Sequence, residues 1–143
     1  MKNKKLHILL VEDNPNDVVI AERSLKKGQI KTELSVARDG QEALDFLHQR
    51  GQFANTPRPD LIFLDLNLPK INGQEVLAEI KRDEQLRRIP VIVLTVSKYE
   101  EDMVKAYNSG AAGYITKPPS SAEFLKVINT VLDYWRISEL PST

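Results

Sequence analysis

Five polar side chains follow short apolar runs, and their types fit a site for a divalent cation and a transferred phosphoryl group. Glu12 and Asp13 follow His7-Ile8-Leu9-Leu10-Val11. Asp65 follows Leu61-Ile62-Phe63-Leu64, Thr95 follows Val91-Ile92-Val93-Leu94, and Lys117 follows Gly113-Tyr114-Ile115-Thr116. Three carboxylates brought together repel one another, and a hard cation such as Mg²⁺ relieves that repulsion through oxygen ligands. Lys117 supplies a compact positive charge for Asp65 or for a phosphoryl oxygen, and Thr95 a hydroxyl donor for the same oxygen. Asp65 is the candidate nucleophile, because carboxylates form aspartyl-phosphate intermediates. Positioning and charge neutralisation would do most of the catalysis. Read alone, Glu12 and Asp13 would only open a loop and start a helix, where acids are common. The four run ends together carry the phosphoryl-transfer reading.

Short apolar runs bounded by turn signals predict strands buried on both faces. They fall at about Leu6–Val11, Glu33–Ala37, Asp60–Asp65, Pro90–Thr95 and Gly113–Thr116. Helix-like patterns alternate with them. The first helix is capped by Asn14 with Pro15 at its first position and Asp17 in its first turn; it turns Val18, Ala21 and Leu25 inward and ends at Gly28. Asp39 with Glu42 caps the second, which buries Ala43, Leu44 and Leu47. Gln49–Pro59, with Gly51, Pro57 and Pro59, reads as a long loop. A Pro69–Gly73 turn leads to a helix with Val76, Leu77 and Ile80 inward. Ser97 with Glu100 resembles a capping box for a fourth helix with Met103, Ala106 and Tyr107, ended by Gly110. Ser120 and Glu123 open the last helix, whose apolar stripe is Phe124, Ile128, Val131 and Trp135. This alternation predicts a doubly wound α/β fold, a five-stranded parallel sheet with right-handed crossovers and helices on both faces. In such a sheet, ligands bind beyond the carboxyl ends of the strands, where all five polar residues would converge.

The bulk numbers narrow the function. A chain of 143 residues is expected to form one domain, 1–143, with a core over 6–135, a frayed tail at 136–143 and no output domain. Lys+Arg and Asp+Glu both number 20, which argues against nucleic-acid binding. The absence of cysteine excludes a disulfide framework and a thiolate metal site. No apolar stretch approaches the roughly 20 residues of a membrane span, and the N-terminal run is too quickly charged for a signal peptide. A cytoplasmic protein without membrane contact is the expectation.

The sequence resembles the receiver domain of two-component response regulators. The residues that carry the resemblance are Leu10-Val11-Glu12-Asp13-Asn14, Leu64-Asp65-Leu66-Asn67-Leu68-Pro69 with Asn72-Gly73, Leu94-Thr95, Gly110-Ala111 with Gly113-Tyr114, and Lys117-Pro118. It covers about Leu6 to Tyr134. The resemblance implies a flavodoxin-like (βα)5 fold with strand order 2-1-3-4-5. It implies phosphotransfer from a sensor histidine kinase to Asp65, in a switch or phosphorelay intermediate rather than a turnover enzyme. It implies Mg²⁺ (or Mn²⁺) held by Asp13, Asp65 and the backbone carbonyl of Asn67, with Glu12 acting through water. Thr95 and Tyr114 would be the switch pair, and the Lys117–Pro118 bond would be cis. The loop before the third strand, Asp65-Leu66-Asn67-Leu68-Pro69-Lys70 and Asp133-Tyr134-Trp135 are similar to stand-alone regulators paired with bacterial phytochromes. Val96, after Thr95, departs from the smaller residue usual in the family and would narrow access to the phosphoryl group.

Other residues have plainer readings. Tyr134 and Trp135 either cover the core or serve a partner surface, and a homodimer through the fourth helix, fifth strand and fifth helix is expected. His7 and His48 match no readable motif with acids and are taken as structural. A flavin-binding electron carrier on the same topology is the competing function. Its phosphate loop would have to be Glu12-Asp13-Asn14-Pro15-Asn16-Asp17, which repels phosphate. A third option, a phosphate-independent scaffold, conflicts with the presence of all five polar residues.

Overall fold

The computed structural model describes residues 5–27 and 31–137. Among them, five strands and five α-helices alternate: β1 (Leu6–Val11), α1 (Pro15–Lys27), β2 (Thr32–Ala37), α2 (Gly40–Leu47), β3 (Leu61–Leu64), α3 (Gly73–Arg82), β4 (Val91–Thr95), α4 (Glu100–Asn108), β5 (Gly113–Thr116) and α5 (Ser121–Ile137). The strands form one parallel sheet in the order β2-β1-β3-β4-β5. This is the flavodoxin-like order, with its topological switch point between β1 and β3.

Alternation along the strands builds two cores. Leu9 and Val11 of β1 join Ile62 and Leu64 of β3 on the face covered by α2 and α3, with Ala43, Leu44, Leu47, Val76, Leu77 and Ile80. Ile8 and Leu10 join Leu61, Phe63, Ile92 and Leu94 on the other face, under Val18 and Ala21 of α1 and Phe124, Ile128 and Leu132 of α5. Successive side chains of a strand point to opposite faces, so continuous apolar runs are what a sheet covered on both sides demands.

The helix starts follow local hydrogen bonding. Asn14 Oδ1 accepts from the amides of Asn16 and Asp17, Asp39 Oδ1 from Glu42, Asn72 Oδ1 from Glu75 and Ser120 Oγ from Glu123. Each satisfies an amide that the first helical turn leaves without a partner.

Several expectations need correction. Ser97 does not cap α4: the helix begins after Tyr99, and the Ser97 hydroxyl donates to the Asp102 side chain instead. Tyr107 is exposed rather than part of the core, and Ala106 is the only buried residue of that helix. The Gln49–Pro59 loop contains a 3-10 turn at Gly51–Phe53, and Phe53 stacks at 5.3 Å on Phe46. α5 runs to Ile137, with Leu132 and Trp135 joining the second core. Gly28, expected to end α1, and residues 138–143 lie outside the described residues. No helix among the described residues is long and apolar enough to cross a membrane.

Candidate functional site

Strand register brings the five polar residues to one edge. The Glu12 amide donates to Ala37 carbonyl at 2.9 Å, and the Asp65 amide to Val11 carbonyl at 3.0 Å. These bonds extend the sheet pairing by one residue, so Glu12 and Asp65 emerge side by side above the β1–β3 switch point. On the far side, Thr95 pairs with Thr116 in the β4–β5 ladder, and the Lys117 amide donates to Thr95 carbonyl at 2.7 Å. Glu12, Asp65, Thr95 and Lys117 are all buried; Asp13 is exposed at the rim.

Glu12, Asp13 and Asp65 each present a carboxylate oxygen, and these three oxygens lie within 4.8 Å of one another. Hard oxygen donors this close suit a divalent cation, and one carboxylate of the three is open to solvent for its entry. The Asp65 loop is ordered by its own nucleophile candidate: Asp65 Oδ1 accepts from the Asn67 amide at 3.0 Å. That turn keeps Asn67 beside the carboxylates.

Lys117 is the counter-charge. Its Nζ donates to Glu12 Oε1, to Asp17 Oδ2 at 2.8 Å and to Asp65 Oδ2 at 3.1 Å. Burial works against its charge, but the hydrogen bonds to Asp17 and Glu12 and the fields of Asp65 and Glu12 outweigh it, so the ammonium is held above its ordinary range. Glu12 behaves oppositely. Burial pushes its carboxyl up from 4.5 to about 7, assisted by the charge of Asp65, and the Lys117 contact only partly compensates.

Asp17 was absent from the sequence-derived site. It reads as an ordinary acid in a helix's first turn, yet that turn begins at the end of β1 and delivers the carboxylate to Lys117. The Lys117–Pro118 bond is trans, as are all peptide bonds among the described residues, and this corrects the expected cis bond. Lys117 needs no cis turn here, since its amide already continues the ladder beside Thr95 and its long side chain spans the gap to β1 and β3. Pro118 thus follows the site as an ordinary trans proline.

Thr95 Oγ1 accepts from the Ser97 amide at 3.4 Å, and the half-buried Tyr114 donates its hydroxyl to Ser97 carbonyl at 3.1 Å. Val96, between Thr95 and Ser97, is exposed. His48 departs from its expected lack of acids: Nε2 lies 3.2 Å from Glu79 and Nδ1 3.8 Å from Asp83, tying α2 to α3 away from the carboxylate edge. His7, as expected, is structural, sharing a hydrogen bond with Ser35 and packing on Phe46. Tyr134 is exposed, and Trp135 packs against the second core, their rings 5.1 Å apart.

The family described as response regulator receiver domain matches residues 8–129. The response regulator Rcp1 of Synechocystis sp. is 45% identical over 128 residues, covering 90% of this chain and 87% of that protein. The crystal structure of the phosphorylated cyanobacterial phytochrome response regulator RcpA superposes with a TM-score of 0.94 at 42% identity, over 97% of this chain and 100% of that one. The Mn²⁺-bound form of Rcp1 gives a TM-score of 0.92 at 43% identity, over 96% and 99% of the two chains.

Proposed function

The chain belongs to the response regulator receiver domain family, and from that premise we propose that it is a switch that accepts a phosphoryl group on Asp65 from a sensor histidine kinase of the phytochrome type. The observation that carries the proposal is the convergence of Glu12, Asp13 and Asp65 beneath the single ammonium of Lys117. The kinase type is suggested by the similarity to RcpA, a cyanobacterial phytochrome response regulator.

In this reading a carboxylate oxygen of Asp65 forms the new O–P bond while the bond from phosphorus to the donor imidazole breaks. Asp13, Asp65 and the Asn67 carbonyl would hold Mg²⁺ or Mn²⁺, with Glu12 acting through water, and the bound cation supplies neutralisation of the gathered negative charge. The Mn²⁺-bound Rcp1 structure supports this choice of ion. Lys117 meets the phosphoryl oxygens from the Asp65 side, and the Thr95 hydroxyl donates to one of them. Output is a change of surface read by a partner protein in the cytoplasm, without nucleic acid, membrane or turnover of a separate substrate. The test is phosphotransfer from a purified phytochrome kinase, with the label mapped by mass spectrometry. Label on Asp65, absent in Asp65→Asn, is expected; label fixed at another residue overturns the assignment.

A further inference from the structure

An ammonium has three donors, and all three of Lys117 are engaged: Glu12 at the end of β1, Asp17 on α1 and Asp65 at the end of β3. The three contacts are not equivalent. Asp65 is the proposed acceptor, so its Lys117 contact must be remade when the phosphoryl group arrives. Glu12 and Asp17 do not react. Asp17 holds Nζ at 2.8 Å, against 3.1 Å for Asp65, and comes from a helix whose first turn is fixed by the Asn14 cap. The Asp17 carboxylate is largely shielded, with 17% of its side chain exposed, and the Lys117 side chain is 5% exposed. The pair is therefore a near-buried ion pair rather than a screened surface contact.

We propose that Asp17 is a positioning residue for phosphoryl transfer: with Glu12 it pins the Lys117 ammonium at two points, leaving the third donor aimed at the space above Asp65 where the phosphoryl oxygens arrive. Glu12 alone cannot do this, because one contact leaves the ammonium free to swing on a long flexible stem. Glu12 is itself shared, its other oxygen accepting from the Asn14 amide at 3.2 Å. Two fixed contacts from different elements remove that freedom before the donor binds, which is how preorganised sites gain rate. This inference rests on the proposal that Asp65 is the phosphoacceptor.

The experiment has two arms. In the first, the rate of phosphorylation by acetyl phosphate at saturating Mg²⁺ is compared for the parent, Asp17→Ala and Asp17→Asn. Asp17→Ala is expected to react about tenfold more slowly, less than the roughly hundredfold effect of a 1 Å misplacement. Asp17→Asn keeps an oxygen acceptor in the same place and is expected to recover most of the loss. An alanine variant as fast as the parent overturns the proposal, and so does an asparagine variant as slow as the alanine one, since charge rather than placement would then matter. In the second arm, no phosphoryl donor is present. A buried ammonium with three partners exchanges its protons slowly enough for an Nζ–H NMR signal. That signal is expected in the parent, lost in Asp17→Ala and kept in Asp17→Asn, while the backbone spectrum away from α1 is unchanged. Its persistence in Asp17→Ala overturns the pinning role whatever Asp65 does. A parent that takes no phosphoryl group on Asp65 but shows this NMR pattern overturns the function reading and retains the pinned ammonium.

Discussion

The Tyr114 hydroxyl donates to the backbone carbonyl of Ser97 at 3.1 Å. The amide of the same Ser97 donates to Thr95 Oγ1 at 3.4 Å, so one residue links the two members of the proposed switch pair. If Thr95 Oγ1 turns to a phosphoryl oxygen, Ser97 loses its acceptor, and the carbonyl that holds Tyr114 can move. The link thus ties a side-chain rotation at the site to the aromatic ring on β5.

Tyr114→Phe removes that hydroxyl and leaves the Ser97 carbonyl to half-exposed surroundings. A stability loss of about 0.5–1.5 kcal/mol is expected, the usual net worth of one such bond. Urea unfolding of the unphosphorylated protein measures it. Amide exchange in the Val96–Tyr99 segment should quicken, while that of β1 and β3 should not.

Glu12 sets a pH dependence. Its folded pKa of about 7 lies above the unfolded value of 4.5, chiefly through burial. The protonated form is thus favoured by folding. The corresponding stability is fully present below about 4.5 and is lost as pH rises to about 7, on the order of 3 kcal/mol for a shift of that size. Unfolding in chelator across this window should show the decline, and Glu12→Gln should flatten it. Mg²⁺ affinity should run the other way, strengthening as the pH rises through about 7, because a charged Glu12 favours the cation.

Asp13→Asn should stabilise the metal-free protein and weaken Mg²⁺ binding. One of three clustered carboxylates loses its charge, which relieves repulsion and leaves the cation a neutral, weaker oxygen ligand. Asp13 is solvent-exposed, which keeps the gain under about 1 kcal/mol. Denaturation with and without Mg²⁺ should show the two effects with opposite signs. A variant less stable than the parent in chelator contradicts the repulsion argument.

A homodimer through α4, β5 and α5 is expected because Tyr99, Val104, Tyr107 and Tyr134 are large, apolar and exposed on α5, α4 and the residue before α4. Sedimentation of the protein with and without a phosphoryl mimic, beside Tyr107→Ser, tests it. Monomers in every form at high micromolar concentration would remove the dimer and leave the switch intact.

Much of the fold was legible because both faces of the sheet are covered. β1 and β5 fall at the expected residues, each a short apolar run bounded by turn signals, although β1 is buried while the edge strand β5 is only half-buried. The site was legible for the same reason. What could not be read depends on partners distant in sequence. His48 meets Glu79 and Asp83 from the next helix, and no local pattern joins them. Leu86 and Ile89, both core residues, lie in the turn after α3, where no periodicity marks them. Asp17 escaped because a helix-dipole acid and a lysine anchor look alike until the fold brings the first turn of α1 to Lys117.

Two glycines give the molecule a direction of compliance. A Cβ at Gly73 would lie 2.3 Å from Asp65 carbonyl oxygen, and one at Gly40 would lie 2.0 Å from that of Ile71. The starts of α3 and α2 are therefore seated backbone-to-backbone on the loop that carries Asp65, with no side chain between that could rotate out of the way. Across the site, the Val96–Tyr99 segment is tied through Ser97 to Thr95, Tyr114 and Asp102, and the helix that follows buries only Ala106. If Asp65 is phosphorylated as proposed, a shift there meets the seated loop on one side and the lightly packed Val96–Tyr99 segment on the other, and the lightly packed surface is the one expected to report the event.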